Sequence, residues 1–276
     1  MASNSACRLA MQVIEHKYCC MKRFSLFLML IFILLSVAGG YPTGQVLDRT
    51  YYFEDAGKNM PYTLYLPKAY SAKKIWPLVV ALHGLFSNPS QIIRYPRLTA
   101  QAEKYGYIVV APMGYNTVGW YGSRGQLSFY TKPNNLGELS EKDVLNVVTI
   151  IQKEFSVDSR NIFLMGHSMG GGGTWHLGMK YPEKWAVLGP LAPAAPRNIN
   201  DLKKIKDTPV IMVMGTKDSL WRSGLKWVEE MKRLNMHYEY IEVKNGGHVR
   251  SVIERLPEVF NFFEKHRHQP VERVDY

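Results

Sequence analysis

The stretch Asn161-Ile162-Phe163-Leu164-Met165-Gly166-His167-Ser168-Met169-Gly170 constrains this 276-residue chain more than any other. A continuous apolar run, the pattern of a strand buried on both faces, drives into a serine with a glycine two residues before it and two after. A serine at the apex of a tight strand-to-helix turn takes a strained backbone conformation. Residues two positions away must then be nearly free of side chain to avoid the turn. The run continues through Gly171-Gly172-Gly173 into a helix. As a phosphate loop it lacks the following lysine and the required spacing; close packing of helix on strand explains it better.

Around this turn, apolar strand-like runs alternate with amphipathic stretches, the signature of a mainly parallel sheet with helices on both faces. Runs at 45–53 and 62–65 alternate across a turn-rich segment, 55–59, and predict an antiparallel hairpin at the sheet edge. Runs at 77–82, 107–111 and 162–165 are continuously apolar and predict central strands, with 186–191, 209–214 and 238–243 completing eight. Ser140 and Asp143 read as a capping pair for a helix carrying Val144, Val147, Val148, Ile151 and Phe155 on one face. Further helices are expected at 169–180, 221–234 and 249–265. The segment 193–208 is too short for a large lid domain. The one long irregular stretch, 112–139, is rich in glycine and aromatic residues, and such loops are commonly functional.

The first 38 residues carry a targeting signal. Lys22-Arg23 precede an uninterrupted apolar run, 25–35, followed by Ser36-Val37-Ala38, small at both ends as a signal-peptidase site requires. Met21 is the expected initiation residue, and residues 39–276 the mature domain, expected to be exported to a bacterial periplasm or medium. The competing reading, a retained anchor, is disfavoured because the apolar run is short for a span of about 20 residues. Cys7, Cys19 and Cys20 all precede the expected cleavage point, so no disulfide, thiolate metal site or cysteine nucleophile is expected in the mature chain. Loss of residues 1–38 lowers the formal net charge from +11 by three. The remaining basic residues are scattered and no nucleic-acid motif accompanies them; they read as a solvated surface.

A hydroxyl is a poor nucleophile at neutral pH and needs a base, which needs an orienting carboxylate. On a strand–turn–helix scaffold these arrive in the order Ser, acid, His. After Ser168 comes the buried run 209–214 with Gly215-Thr216-Lys217-Asp218, and after the last strand comes Asn245-Gly246-Gly247-His248. Ser168, Asp218 and His248 are therefore the candidate catalytic triad. An ester or amide attack also needs donors for the oxyanion. The backbone amides of Met169, next to the nucleophile, and of Leu85, in the Leu82-His83-Gly84-Leu85-Phe86 turn, are the candidates. His83 reads as scaffold, and His167 is expected to point away from the nucleophile. His176 reads as packed on its own helix, and Asp158 as a turn residue. Phe86, Trp120, Tyr121 and Trp221, with Phe129 and Tyr130, are candidate substrate contacts because they lie on loops beyond strand ends.

The segment MGHSMGGGGTWHLGMKYPEKWA, the LHGL turn and the GTKD and NGGH endings resemble exported esterases of the α/β-hydrolase superfamily. The similarity is to feruloyl and acetyl-xylan esterases related to prolyl oligopeptidase and to polyhydroxybutyrate-depolymerase-like proteins, across nearly the whole mature chain. It implies an α/β-hydrolase fold, a serine esterase acting through an acyl-enzyme on plant-polysaccharide or polymeric esters, and no cofactor. The GHSMGGGGT string also resembles cutinases and polyester hydrolases, although their C-terminal cysteine pair is missing here. A serine peptidase with the same machinery and a noncatalytic binding protein are the remaining alternatives. The peptidase would be marked by a gating domain, the binding protein by loss of a triad member, and the sequence shows neither.

Overall fold

The computed structural model describes residues 41–124, 132–196 and 198–269. The expected leader, the three cysteines, Phe129 and Tyr130 lie outside them. Residues 43–276 form one compact unit. No helix among the described residues is long and apolar enough to cross a membrane.

Eight strands make one sheet: β1 (Val46–Phe53), β2 (Lys58–Tyr65), β3 (Trp76–Leu82), β4 (Ile108–Pro112), β5 (Val157–His167), β6 (Val187–Leu191), β7 (Val210–Gly215) and β8 (Tyr238–Val243). Their order is β1-β2-β4-β3-β5-β6-β7-β8. The β1–β2 hairpin is antiparallel, β2 joins β4 antiparallel, and every pairing from β4 to β8 is parallel. The mostly parallel eight-stranded sheet and the edge hairpin are as the apolar runs predict. The β2 strand begins four residues before the expected position because the single turn Glu54–Ala56, closed by Gly57 at φ 60°, reverses the chain early.

Seven helices cover the two faces among the described residues: α1 (Pro89–Ile93), α2 (Leu98–Tyr105), α3 (Leu136–Glu154), α4 (Met169–Lys180), α5 (Trp221–Arg233), α6 (Arg250–Glu254) and α7 (Leu256–Lys265). Successive residues of a central strand point to opposite faces. Leu78, Val80, Leu164 and Met212 accordingly pack with Val144 of α3, Trp175 of α4 and Trp227 of α5. Val79, Ala81, Phe163 and Ile211 pack on the other face with Ile92, Val252 and Phe263. Trp175 stacks on Trp227 at 4.8 Å, and Phe163 on Phe263 at 5.2 Å.

Two expectations change. The helix foreseen at 249–265 is two helices divided at Arg255, with Pro257 in the first turn of α7, where its missing N–H costs least. Ser140 and Asp143 do not cap a helix, since α3 begins at Leu136. Both are buried inside α3 and hold the loop after β4. Ser140 Oγ donates to Gly114 O at 2.6 Å and accepts from Tyr121 N at 2.9 Å. Asp143 accepts from Tyr51 O–H at 2.6 Å and Gly114 N–H at 2.6 Å, and its burial pushes the carboxyl up to about 6. The polar pair satisfies loop backbone that would otherwise be buried without partners.

Candidate active site

The end of β5 delivers Ser168 at φ 59° and ψ −113°, a left-handed conformation costly for a residue with a side chain. Hydrogen bonds hold it there: Ser168 N–H donates to Leu191 O at 2.9 Å, and its carbonyl accepts from Gly172 N–H at 3.0 Å and Ala194 N–H at 2.9 Å. The flanking glycines leave room for this turn. A Cβ on Gly166 would stand 2.3 Å from Gly170 O, and one on Gly170 would stand 2.2 Å from Leu82 O. Every residue of the glycine run presses on something, down to Gly173 against the Tyr121 ring. The run is therefore a packing surface, as expected.

Asp218 lies on the turn after β7, its carboxylate almost fully buried. Oδ1 accepts from Leu220 N–H at 2.9 Å, and Oδ2 accepts from His248 Nδ1 at 2.6 Å. Burial alone would raise the carboxyl. The hydrogen bonds from His248 and the Leu220 amide outweigh it and hold the group below the ordinary carboxylate range. His248 follows β8 on a turn tied back by Gly246 N–H to Val243 O, Lys217 N–H to Gly246 O and Asn245 N–H to Thr216 Oγ1. Ser168 and His248 line the same cleft, about 820 Å³ in volume.

The loop after β3 forms one wall. His83 is fully buried, its two ring nitrogens 2.8 Å from the carbonyls of Gly84 and Met113, and burial lowers its basicity. It braces the loop, as its position in the sequence suggests. Gly84 brings backbone up to the serine, since a Cβ there would lie 3.5 Å from Ser168 Cβ. Phe86 N–H donates to Thr117 O and Ser87 N–H to Gly84 O, which fixes the backbone on either side of Leu85. Met169 opens α4 directly after the serine, where helix N-terminal amides and the helix dipole favour negative charge.

Among the described residues expected as substrate contacts, only Phe86 lines this cleft; it is 76% exposed, with Leu85 and Val249 lining the cleft beside it. Tyr121 does not: its ring is fully buried against Gly173 and its hydroxyl donates to His83 O at 3.2 Å. Trp120 turns away to hold the Arg124 guanidinium 4.2 Å from its ring. Trp221 begins α5 and donates its indole N–H to Glu242 at 2.8 Å. The backbone explains the first two. Trp120 and Tyr121 both take left-handed conformations, which direct their side chains inward and sideways.

His167 is placed differently from the sequence expectation. Its ring lies 4.7 Å from that of His248, in the wall of the cleft. Tyr95 O–H donates to Nδ1 at 2.8 Å, and Nε2–H donates to the His248 carbonyl at 3.2 Å. Burial first, then the neighbouring His248, hold this imidazole down to about 4, so it stays neutral. Tyr95 carries no sequence signal for this contact, lying 72 positions from its partner on α1's far side. Within α4, the His176 side chain reaches across to α3 and joins Lys180 and Tyr181 on the buried carboxylate of Glu141, at 2.7, 2.6 and 2.5 Å.

Residues 54–250, which include Ser168, Asp218 and His248, match the model of the Esterase family, described as "Putative esterase". A bifunctional acetylxylan esterase/xylanase of Neocallimastix patriciarum is 26% identical over 144 residues, 52% of this chain and 19% of that protein. The acylamino-acid-releasing enzyme of Mus musculus is 24% identical over 220 residues, 64% of this chain and 29% of that protein. The chain thus spans under a third of the length of these curated relatives. Among solved structures, a ferulic acid esterase of Anaeromyces mucronatus superposes with a TM-score of 0.64 at 19% identity, covering 82% of this chain and 92% of that one. An S-formylglutathione hydrolase of Agrobacterium tumefaciens superposes at 0.63 and 15% identity, covering 83% and 97%. The fold they share is the α/β-hydrolase fold.

Proposed function

The chain belongs to the Esterase family, and from that premise we propose that it is an exported serine esterase whose triad is Ser168, Asp218 and His248. The observation that carries the proposal is the 2.6 Å contact from His248 Nδ1 to the buried Asp218 carboxylate, with His248 and Ser168 facing one cleft. His248 Nε2 takes the serine proton as Ser168 Oγ attacks the ester carbonyl. Asp218 fixes the tautomer that leaves Nε2 free and stabilises the imidazolium that forms. The amides of Met169 and Leu85 hold the oxyanion. His248 then returns the proton to the leaving alcohol, and the same base activates water to release the acyl group.

The cleft gives a direction for the substrate. Its lining combines the apolar Leu85, Phe86 and Val249 with the polar Ser87, Ser90, Gln91 and Arg94. An apolar or aromatic acyl group joined to a polyol suits that mixed lining. This agrees with the ferulic acid and acetylxylan esterases among the similar proteins. The mature chain is read as beginning after residue 38, with export directed by the segment before it.

A panel of p-nitrophenyl acyl esters, methyl ferulate, acetylated xylan, a polyester film and aminoacyl anilides tests this, with Ser168→Ala alongside. Ester turnover lost in the variant is expected. Cleavage of the anilides without the esters would instead support a peptidase, the reading favoured by the similarity to the acylamino-acid-releasing enzyme.

A further inference from the structure

At the end of β8 remote from His248, two histidines from distant parts of the chain face each other. His237 directly precedes β8 and His266 follows α7, and their Nε2 atoms are 3.2 Å apart. Both rings lie against Phe262, with centroids at 4.1 Å for His266 and 6.3 Å for His237. His237 is exposed and His266 half-buried, leaving the pair open to solvent.

The tautomer of His266 follows from its other nitrogen. Nδ1 lies 2.8 Å from Phe262 O, a carbonyl that can only accept, so Nδ1 carries the hydrogen and Nε2 carries a lone pair. An imidazole anchored by Nδ1–H to a backbone carbonyl, with Nε2 free, is the usual arrangement of a metal-ligating histidine. The spacing agrees. Two nitrogens each about 2.0–2.1 Å from one tetrahedral ion stand about 3.3–3.4 Å apart, close to the 3.2 Å found here.

We propose that His237 and His266 chelate a divalent borderline transition-metal ion such as Zn²⁺ through their Nε2 atoms, clipping the end of α7 to the entry of β8. Without metal, His237 Nε2–H donates to His266 Nε2. With metal, the His237 hydrogen moves to its Nδ1, and both Nε2 lone pairs bind the ion without net loss of a proton. Among the described residues no group of three or more His, Cys, Asp or Glu is gathered, so water completes the coordination. The ion has a structural role, apart from the cleft.

The test uses the chain without a polyhistidine tag, titrated with ZnCl₂ by calorimetry and with CuCl₂ by electron paramagnetic resonance, beside His237→Ala and His266→Gln. One Zn²⁺ per chain is expected, with hyperfine structure from two nitrogens on Cu²⁺. At a hundredfold excess over Kd the melting temperature should rise on the order of 5 °C. Either substitution should abolish binding and the rise, while ester turnover and the metal-free melting temperature stay near those of the parent. Absence of binding in the parent chain, or binding that survives either substitution, would overturn the proposal.

Discussion

Replacing Gly170 by alanine probes the step from sequence to reactive geometry. The new Cβ would lie 2.2 Å from Leu82 O, 2.6 Å from Leu82 C and 2.8 Å from His83 O. Ordinary contact begins near 3.4 Å, so α4 and the end of β3 must separate by about 1 Å, and both parties are backbone. Overpacking of this kind costs about 1–3 kcal/mol, offset in part by the roughly 0.5–1 kcal/mol that alanine gains over glycine within a helix. A net loss of up to about 2.5 kcal/mol lowers the melting temperature by up to about 10 °C in a domain of this size. The displaced strand end leads straight into His83-Gly84-Leu85, so the proposed oxyanion donor on Leu85 moves as well. A misplacement of about 1 Å costs on the order of a hundredfold in turnover. Scanning calorimetry and steady-state hydrolysis of p-nitrophenyl acetate measure both effects. Gly247→Ala is the control: its Cβ meets nothing within 4 Å, so stability should change by less than about 0.5 kcal/mol. A Gly170→Ala protein with parental melting temperature and turnover would refute the close approach of α4 to β3.

Other outcomes follow from the site and its surroundings. Asp218→Asn should fold normally yet lose about 10⁴-fold in kcat, because the amide favours the wrong tautomer of His248; circular dichroism and single-turnover kinetics separate the two effects. Tyr95→Phe deletes the O–H that orients His167 and should cost a few-fold to tenfold in kcat with KM for short esters unchanged. A change in KM alone would contradict that positioning role. Phe86→Ala should raise KM for hydroxycinnamate esters more than for acetyl esters, measured by parallel kinetics on the two. Burial alone would raise the Glu141 carboxyl; hydrogen bonds from His176, Lys180 and Tyr181 override it and lower the group to about 2, against 4.5 ordinarily. Its folded value is depressed, so its contribution is complete above about pH 4.5 and is lost as pH falls toward 2. Guanidinium melts at pH 6 and pH 3 should show a smaller acid loss in Glu141→Gln than in the parent.

The strand ends were legible because burial on both faces writes itself as unbroken apolar runs, and the turns that follow them are short. Positions 168, 218 and 248 could be read as a set for that reason, since each stands just past such a run. The side-chain partners were harder to read. Tyr95 reaches His167 across 72 residues, and no local periodicity encodes a contact of that separation. Ser140 and Asp143 have the residue types and spacing of a cap, but the same hydroxyl and carboxylate serve equally to hold a buried loop, and only the three-dimensional position of Gly114 decides. Aromatic loop residues failed for a similar reason. Trp120 and Tyr121 lie in the right loop, but their positive φ angles turn the rings away from the cleft, and nothing in their identity announces that backbone.

The central claim is that the strained serine at the end of β5 is the nucleophile. A fluorophosphonate probe, which forms a stable covalent bond only with an activated serine, tests it in one step. Incubation of the native protein followed by intact-mass and peptide mass spectrometry should show one adduct per chain, on the peptide containing Ser168, with ester turnover falling in proportion. Full turnover in a protein that takes up no probe, or an adduct on any other residue accompanied by loss of activity, would contradict it.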